Sequence, residues 1–393
     1  MYWEFDVVYS VADLTPSDEA RMLADAVARF VDDRYSHPDW RAIVDGEAGY
    51  CQTRWQQMAD LGWTGLAIAE DDGGYGGQLA ELLQVVEGLG RGLATEPLVS
   101  TAVIGADLIA QCEGPARTCL RRVAQGELRL ALADEEAEGW DFNEGLATVA
   151  RDQGGRWRLD GRKWLVPDAP HAHQMIVSAR IDGPGAEAAS SALFLVPVDQ
   201  PGVEITVIQS FDRRRLGQVL LTGVELDQQS LLALPPHSAA LIARARARLL
   251  AAYAAEGLGL AQRVLELTRT YLSAREQFGS RLSGFQVLQH RLVDLFIAVE
   301  ELRTVARMAM MACELADQRM LGAARIKLIQ LLPMVGRQAI QLHGGMGMSD
   351  EYPLGDCMKR LEAIALSCGP IEQALDRFRR DAPPADQSAR PSV

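Results

Sequence analysis

The chain has 393 residues, of which 48% are hydrophobic and 23% charged, and its formal net charge is −14. This length suffices for two or three domains, and the composition is ordinary for a soluble globular protein. The negative charge argues against binding to nucleic acid or anionic membrane surfaces, which require an excess of Lys and Arg. No segment approaches the ~20 apolar residues of a membrane span, and the N-terminus lacks the features of a signal peptide, so we expect a soluble cytoplasmic protein.

The cysteines and histidines give no sign of a metal site or a disulfide framework. The cysteines contain no C-x-x-C pair and no regular spacing. The histidines also lack the spacing of metal ligands, so we predict no metal. The six cysteines are Cys51, Cys112, Cys119, Cys313, Cys357 and Cys368.

Residues 1–126 are predicted to form a helical N-terminal domain. Thr15, followed by Pro16 and acidic residues, has the pattern of a helix start. The helical pattern breaks at residues 71–77, DDGGYGG, and resumes at Leu79. No Lys-Ser/Thr pair follows these glycines, so they are predicted to form a turn between helices and not a phosphate-binding loop.

Residues 127–230 are predicted to form a middle β-domain, because the hydrophobic period changes from 3.6 to 2 near residue 127. Asp160-Gly161, between two strand-like runs, predicts a hairpin turn. Successive strands at short spacing, without helices between them, predict an antiparallel sheet or a small barrel and not βαβ units.

Residues 231–381 are predicted to form a C-terminal helical bundle, and the polar, Pro-containing residues 382–393 a disordered tail. Arg244, Arg246 and Arg248 alternate and cannot share one helical face, so we interpret them as solvated charges, with a local anion contact as the alternative. An apolar stripe that steps by four and three residues is typical of a helix in a four-helix bundle. Its members are Leu288, Leu292, Leu295, Val299, Leu302 and Ala306.

Residues 271–293 join two helical patterns through a short break that contains glycine. Arg275, Gln277 and Phe278 stand in a row before Gly279. An Arg fork, an amide, an aromatic ring and backbone without Cβ suit a planar ligand that bears phosphate. On these residues alone, the favoured interpretation is an ordinary helix-turn-helix corner with a solvated Arg.

The motif REQFG at 275–279, followed by Phe285-Gln286, resembles the flavin-binding signature of the acyl-CoA dehydrogenases. The motif QLHGG at 341–345 resembles the second signature of the same family, and the likeness covers nearly the whole chain. The resemblance implies an α+β multidomain fold with an N-terminal helical domain, a middle antiparallel β-domain and a C-terminal four-helix bundle. It also implies FAD as the cofactor, bound by Arg275, Gln277, Phe278, Leu282, Phe285, Gln286, Gln341, Gly344 and Gly345.

The chemistry that the resemblance implies is α,β-desaturation of an acyl-CoA thioester. A carboxylate removes the α-proton, the β-hydride passes to flavin N5, and the electrons continue to an electron-transferring flavoprotein. The base must lie in a dry site beside the ring, which raises its pKa, and hydrogen-bond donors must polarise the thioester carbonyl. The family's flavin-contacting strand carries Thr-Glu-Pro, whereas this chain has ADEEAEGW at 133–140.

Neither position at which family members carry the base holds an acid in this chain. These positions correspond to residues 365–370, ALSCGP, and to Leu249. Glu256 is the candidate base, because it takes a step of a helical pattern that is otherwise apolar, where a lone acid is costly. The nearby Gly257 and Gly259 indicate that another element packs closely there. The alternative is that Glu256 forms a buried ion pair with an Arg from another helix.

Two further segments resemble one branch of the family, the bacterial dehydrogenases that work as two-chain complexes on pimeloyl-CoA or steroid side chains. They are AAE at 254–256 and MKRL at 358–361, the second being similar to the small-subunit type. This resemblance implies a homo- or hetero-oligomer, such as a tetrameric dimer of dimers with jointly built flavin sites. Two alternatives remain open: a non-catalytic subunit that completes a partner's FAD site with Arg275, Phe278 and Gln341, and a flavin oxidase or monooxygenase.

Overall fold

A computed structural model describes residues 18–136, 146–182 and 191–381. The predicted helix start at Thr15 and the predicted disordered tail at 382–393 lie outside these residues, as does part of the 133–140 segment. None of the helices within the described ranges is long and apolar enough to cross a membrane.

The N-terminal region is helical, as its sequence pattern predicts. The turn predicted at 71–77 is present: Gly73 and Gly76 take positive φ values, and the Gly77 amide donates to the Leu66 carbonyl at 2.8 Å. A π-helical segment at Val99–Gly105 runs directly into the fifth helix. The helices are α1 (Asp18–Arg34), α2 (His37–Asp45), α3 (Gln52–Asp60), α4 (Leu79–Arg91), α5 (Ala106–Ala110) and α6 (Cys119–Ala124).

The middle region is a β-domain built on one eight-stranded sheet. Most neighbouring strands are antiparallel, as predicted, but the sheet is mixed, because the first and second strands each pair with the fourth in parallel. The chain passes through other strands before it reaches the fourth, which supplies the long connection that a parallel pair needs. The strands are β1 (Leu130–Ala133), β2 (Val149–Asp152), β3 (Arg156–Pro167), β4 (Gln174–Asp182), β5 (Ser191–Pro197), β6 (Val203–Gln209), β7 (Arg215–Asp227) and β8 (Leu231–Ala233).

The hairpin turn predicted at Asp160-Gly161 is wrong, since both residues lie inside strand β3. The reversal between β2 and β3 falls instead near Gly154 and Gly155, which have φ values of 74° and 93°. A Cβ at Gly161 would overlap Thr148, and the β3–β7 register shifts just before this glycine. The Asp-Gly pair therefore marks a bulge where another segment approaches the backbone closely.

The C-terminal region is a bundle of long helices. The predicted apolar stripe lies on the packed face of the second helix, where Leu295, Val299 and Leu302 are buried. The first helix packs against the other three long helices of the bundle. The helices are α7 (His237–Ala274), α8 (Gln286–Leu315), α9 (Gln318–His343), α10 (Leu354–Ser367) and α11 (Ile371–Arg380).

The interpretation of Arg244, Arg246 and Arg248 as solvated charges is wrong. Arg244 donates two hydrogen bonds to Asp107, at 2.7 and 2.8 Å, and Arg248 is buried beside the same carboxylate. Arg246 pairs with Asp134 at 2.8 Å. The three side chains leave α7 in different directions, as their spacing requires, but each direction meets an acid from another region of the fold.

Helices α4 and α7 cross at a contact that only glycine permits. A Cβ at Gly259 would overlap the carbonyl oxygen of Glu87, and one at Gly90 would lie 2.6 Å from the carbonyl oxygen of Glu256. Two residues before Gly259, Gly257 packs against Leu332 of the helix Gln318–His343. The prediction that an element packs closely on these glycines is confirmed.

We expect Gly259→Ala to lower the free energy of unfolding by about 2 kcal/mol or more, because the added methyl group would push α4 and α7 apart. Urea unfolding followed by circular dichroism measures this change. The matched control is Gly355→Ala, in the first turn of α10, where a Cβ would meet no atom within 4 Å. Equal stability of the two variants would contradict the close helix crossing.

Candidate active site

The corner after helix α7 is a tight two-residue hairpin. Strand β9 (Glu276–Gln277) pairs with β10 (Ser280–Arg281), and the Leu282 amide donates to the Arg275 carbonyl at 2.8 Å. Phe278 and Gly279 form the turn with φ values of 55° and 78°. Positive φ at both central residues is typical of a type I′ turn and is rare for a bulky residue such as Phe. The turn projects the Phe278 ring outward, with 92% of the residue exposed.

The first-motif residues named as cofactor ligands lie together at this corner. Arg275, Gln277 and Gln286 are exposed, while Leu282 and Phe285 are half-buried beneath them. The rings of Phe278 and Phe285 meet edge to face, with centroids 6.3 Å apart. Among the residues that the structure describes, the Arg275 guanidinium has no hydrogen-bonded or ion-paired acceptor.

The second motif lies at the end of helix α9, beside the end of α7. His343 stacks on Tyr271, one helical turn before Arg275, with centroids 4.5 Å apart. Gln341, Gly344 and Gly345 are exposed, and a Cβ at either glycine would meet no atom within 4 Å. The backbone at these glycines therefore borders open space that another molecule can enter.

These groups fit a flavin nucleotide. A guanidinium without a protein partner can bind phosphate oxygens, an exposed phenyl ring can cover a planar ring system, and bare glycine backbone permits close approach. On the neighbouring helix α8, Val293, Phe296 and Ile297 share one face and are each more than half exposed. An apolar stripe of this kind is typical of a protein–protein interface.

Glu256 lies elsewhere on α7, about 28 Å along the helix axis from Arg275 at 1.5 Å per residue. Its carboxylate is buried, and both oxygens are occupied by arginines. The Arg360 guanidinium donates to Oε1 at 2.8 Å and to Oε2 at 2.7 Å, and Arg214 donates to Oε1 at 2.6 Å. Glu256 thus forms the buried ion pair that the sequence analysis gave as the alternative to a catalytic base. One Arg comes from helix α10 and the other from the loop between β6 and β7.

The cluster around Glu256 joins all three regions of the chain. Arg214 also donates to the Ala94 carbonyl, in the segment after α4, at 2.7 Å, and Arg360 also pairs with Asp212 at 2.9 Å. Burial alone would raise the pKa of Glu256, but Arg214 and Arg360 hold it below its ordinary value. The carboxylate is thus kept ionised by its partners, which is the reverse of the raised pKa expected of a base in a dry site.

The two stretches at which the family carries its base meet at a small cleft. Leu249 lines it from helix α7, and Ser367 and Cys368 line it from the end of α10, with a volume of about 40 Å³. Glu135 also borders this cleft, and desolvation together with the nearby Asp134 raises its pKa. Sequence patterns gave no reason to single out Glu135, because its distance from Leu249 along the chain hides their proximity.

A second and larger cleft, of about 740 Å³, lies between the N-terminal region and the start of α7. The 71–77 turn contributes Asp72 and Gly77 to its wall, and Asp107 contributes the acid that pairs with Arg244 and Arg248. Among the described residues, no group of three His, Cys, Asp or Glu side chains is placed to hold a metal ion.

Comparison with known proteins agrees with this architecture. Family models for the N-terminal, middle and C-terminal domains of acyl-CoA dehydrogenases match residues 17–141, 130–221 and 245–382. Acyl-CoA dehydrogenase IpdE2 of Mycobacterium tuberculosis is 27% identical over 94% of this chain and 98% of its own length. The chain belongs to the acyl-CoA dehydrogenase family, whose members are oxidoreductases acting on CH–CH bonds.

Solved structures show the same relationship. The Tcur3481-Tcur3483 steroid ACAD G363A variant is 30% identical, with a TM-score of 0.83 over 93% of this chain and 97% of that one. The ChsE4-ChsE5 complex of Mycobacterium tuberculosis is 24% identical, with a TM-score of 0.83 over 97% and 100% of the two chains. The family uses a flavin, and one solved member, a glutaryl-CoA dehydrogenase of Mycobacterium smegmatis, is in complex with FADH2.

Proposed function

We propose that this chain is a subunit of an FAD-dependent acyl-CoA dehydrogenase and that it contributes the corner at Arg275 and Phe278 to the flavin site. The observation that carries the proposal is the exposure of that corner beside the open glycines at 344–345. FAD, when bound, accepts the hydride removed from the β-carbon of an acyl-CoA thioester. An electron-transferring flavoprotein is the proposed acceptor of the electrons.

Each residue of the corner has a role that its chemistry suits. Arg275 binds phosphate oxygens through its guanidinium, and Phe278 covers a ring face. Gln277, Gln286 and Gln341 offer amide groups that donate and accept hydrogen bonds. Leu282 and Phe285 support the Phe278 ring from below, and Gly344 and Gly345 leave room for the ligand.

A second chain is required to complete the site. Phe278 and the apolar stripe at Val293, Phe296 and Ile297 are exposed in the single chain, which is costly unless another subunit covers them. The solved ChsE4-ChsE5 relative is a complex, and this supports a hetero-oligomer such as a dimer of two-chain units. We therefore propose a partner that is itself a dehydrogenase-like chain.

We further propose that the partner supplies the catalytic base and that Glu256 maintains the structure of this subunit. Both Glu256 oxygens accept hydrogen bonds from arginines, so the carboxylate would have to break these bonds and lose its depressed pKa before it could take a proton. Leu249 and residues 365–370 offer no acid in its place. In this arrangement the chain acts as the completing subunit of the dehydrogenase, the second of the functions weighed from sequence.

The test is Gly345→Val in the complex purified with its partner chain. A Cβ at this position would meet no atom of the folded subunit within 4 Å, so we expect unchanged unfolding and unchanged assembly. It would fill the space proposed for the flavin, so we expect the visible flavin absorbance per complex to fall at least tenfold. Arg275→Gln should also lower the flavin content, because phosphate loses its charged partner.

The control for the charge change is Arg379→Gln, whose side chain forms an exposed pair with Asp376 at 3.3 Å. Full flavin content in both Gly345→Val and Arg275→Gln would refute the proposed role of the corner. Flavin bound by this chain without any partner would refute the two-chain arrangement but not the role of Arg275.

A further inference from the structure

The small cleft between helices α7, α9 and α11 is lined by three arginines and by one acid, Glu135. Arg325 enters it from α9 and the exposed Arg377 from α11, while Arg246, which lines it from α7, is already paired with Asp134. Arg325 is half-buried, and its desolvation and the neighbouring arginines Arg377 and Arg246 lower its pKa. Among residues 18–136, 146–182 and 191–381, neither Arg325 nor Arg377 has a hydrogen-bonded or ion-paired acid.

Two like charges held together without a counter-ion are unfavourable for the fold by itself. A half-buried guanidinium loses hydration, and its repulsion from a second guanidinium adds to that loss. Two arginines of α7 show the usual solution, since the half-buried Arg246 and the buried Arg248 each pair with an acid. The missing partner of Arg325 is therefore the feature that requires an explanation.

We propose that Arg325 and Arg377 form a binding site for the oxyanion group of a ligand, either a carboxylate or a phosphate. The planar guanidinium fork matches both groups through paired hydrogen bonds. The cleft volume of about 40 Å³ has room for a few waters or for one such group, and not for a whole acyl chain or nucleotide. The rest of the ligand would extend along the open side of the cleft.

The remaining wall of the cleft contributes neutral and apolar groups. Leu249, Leu250 and Tyr253 line it from α7, and burial raises the pKa of Tyr253 to about 12. The Tyr253 hydroxyl therefore stays protonated and can donate to an anion. Glu135 also borders the cleft, and desolvation together with the charges of Arg377 and Arg246 lowers the pKa of Arg325. The proposed anion site is formed by the arginines on α9 and α11.

This inference does not depend on the flavin proposal, because all the residues of the site belong to one chain. The test measures binding of adipate, hexanoate and inorganic phosphate to the full-length protein by calorimetry and by thermal shift. Adipate and hexanoate have six carbons each, but adipate carries a carboxylate at both ends and hexanoate at one end. Hexanoate therefore tests a single carboxylate on an apolar chain. Inorganic phosphate tests the other oxyanion without any chain.

We expect at least one of the three anions to bind and Arg325→Gln to weaken its affinity at least tenfold, with a smaller loss for Arg377→Gln. The control Arg319→Gln removes a guanidinium that packs on the Phe378 ring of the same helix pair, outside the cleft, and should leave binding unchanged. Without ligand, Arg325→Gln should not lower the melting temperature, since no protein acid loses its partner. Preference for hexanoate or adipate assigns the site to a carboxylate ligand, and preference for phosphate assigns it to a phosphate ligand.

The proposal is overturned if no anion binds, or if Arg325→Gln and Arg319→Gln bind the anions equally well. It is also overturned if Arg325→Gln unfolds at a clearly lower temperature in the absence of anions, because the guanidinium would then have a structural partner. These outcomes are read from anion binding and melting temperature and not from flavin content. Failure of this proposal is therefore distinct from failure of the flavin proposal.

Discussion

Replacing Glu256 by Gln is expected to lower the free energy of unfolding by about 3–5 kcal/mol at neutral pH, the usual cost of removing one partner from a buried ion pair. The amide would leave the half-buried Arg360 and Arg214 with Asp212 as the remaining acid of the cluster. The cluster joins the C-terminal and middle regions, and Arg214 also donates to the Ala94 carbonyl in the N-terminal region. The loss should therefore appear as less cooperative unfolding of the three regions. Urea unfolding with a fluorescence probe measures it.

The same variant has a predictable pH dependence. The folded-state pKa of Glu256 lies below its ordinary value because of Arg214 and Arg360. Its ion pair therefore contributes stability above the ordinary carboxyl pKa, and that contribution is lost as the pH falls through the folded-state value. The difference between wild type and Glu256→Gln should be constant near pH 7 and shrink in acid.

The control for this change is Glu266→Gln, whose pairs with Arg91 and Arg263 are largely exposed and should be worth less than about 1 kcal/mol. A double variant, Glu256→Gln with Arg360→Gln, should lose less than the sum of the two single losses, since the two residues interact directly. If Glu256→Gln instead keeps full stability and flavin but loses bleaching by acyl-CoA, then Glu256 is the base and the structural role is wrong.

The order of the three regions (helical, β, helical) could be predicted from the spacing of hydrophobic residues along the chain. This spacing shows which face of a helix or strand is buried. The stripe through Leu295 and Leu302 and the change of period near residue 127 needed no long-range information. The close packing at Gly259 was also foreseeable, since mid-helix glycine has a cost that usually indicates contact. These features depend on neighbours a few residues apart.

The predictions that were wrong or incomplete concern contacts between residues far apart in sequence. Asp160-Gly161 has the composition of a hairpin turn, but Thr148 and strand β7 make it a bulge. Glu256 pairs with Arg214 and Arg360, which are 42 and 104 positions away in the chain. The helical pattern around Glu256 cannot identify which arginines will bind it. The two segments that suggested the small-subunit branch, 254–256 and 358–361, meet in this one ion pair, so considering them together would have predicted it.

Lys163 is the second buried charge on which the fold depends. It is fully buried in strand β3, and its ammonium donates to the Glu136 carboxylate and to Ser178 Oγ, the latter at 3.0 Å. Burial lowers the pKa of Lys163, and Lys163 in turn holds the pKa of Glu136 below its ordinary value. Ser178 also donates to Asp134 at 3.2 Å, which links the pair to Arg246.

Lys163→Met is expected to lower the free energy of unfolding by about 3 kcal/mol, because it leaves Glu136 partly buried without its cation. The cost should fall at the lower end of the usual range, since the Thr148 amide still donates to that carboxylate at 3.1 Å. Lys327→Met is the control, because Lys327 and Glu301 form an exposed pair that should contribute less than about 1 kcal/mol. Chemical unfolding monitored by circular dichroism compares the two variants.

Adding Glu136→Gln to Lys163→Met should restore part of the stability, because the neutral amide removes the unpaired charge and can still accept the Thr148 hydrogen bond. No recovery in the double variant would mean that the lost stability came from packing around the methionine and not from charge. The network also spans the strands at which the family resemblance places flavin ring contacts. If this subunit contributes its corner at Arg275 and the partner supplies the ring contacts, the complex containing the double variant should keep its flavin, and loss of flavin from a folded complex would show that Lys163 and Glu136 serve the ring directly.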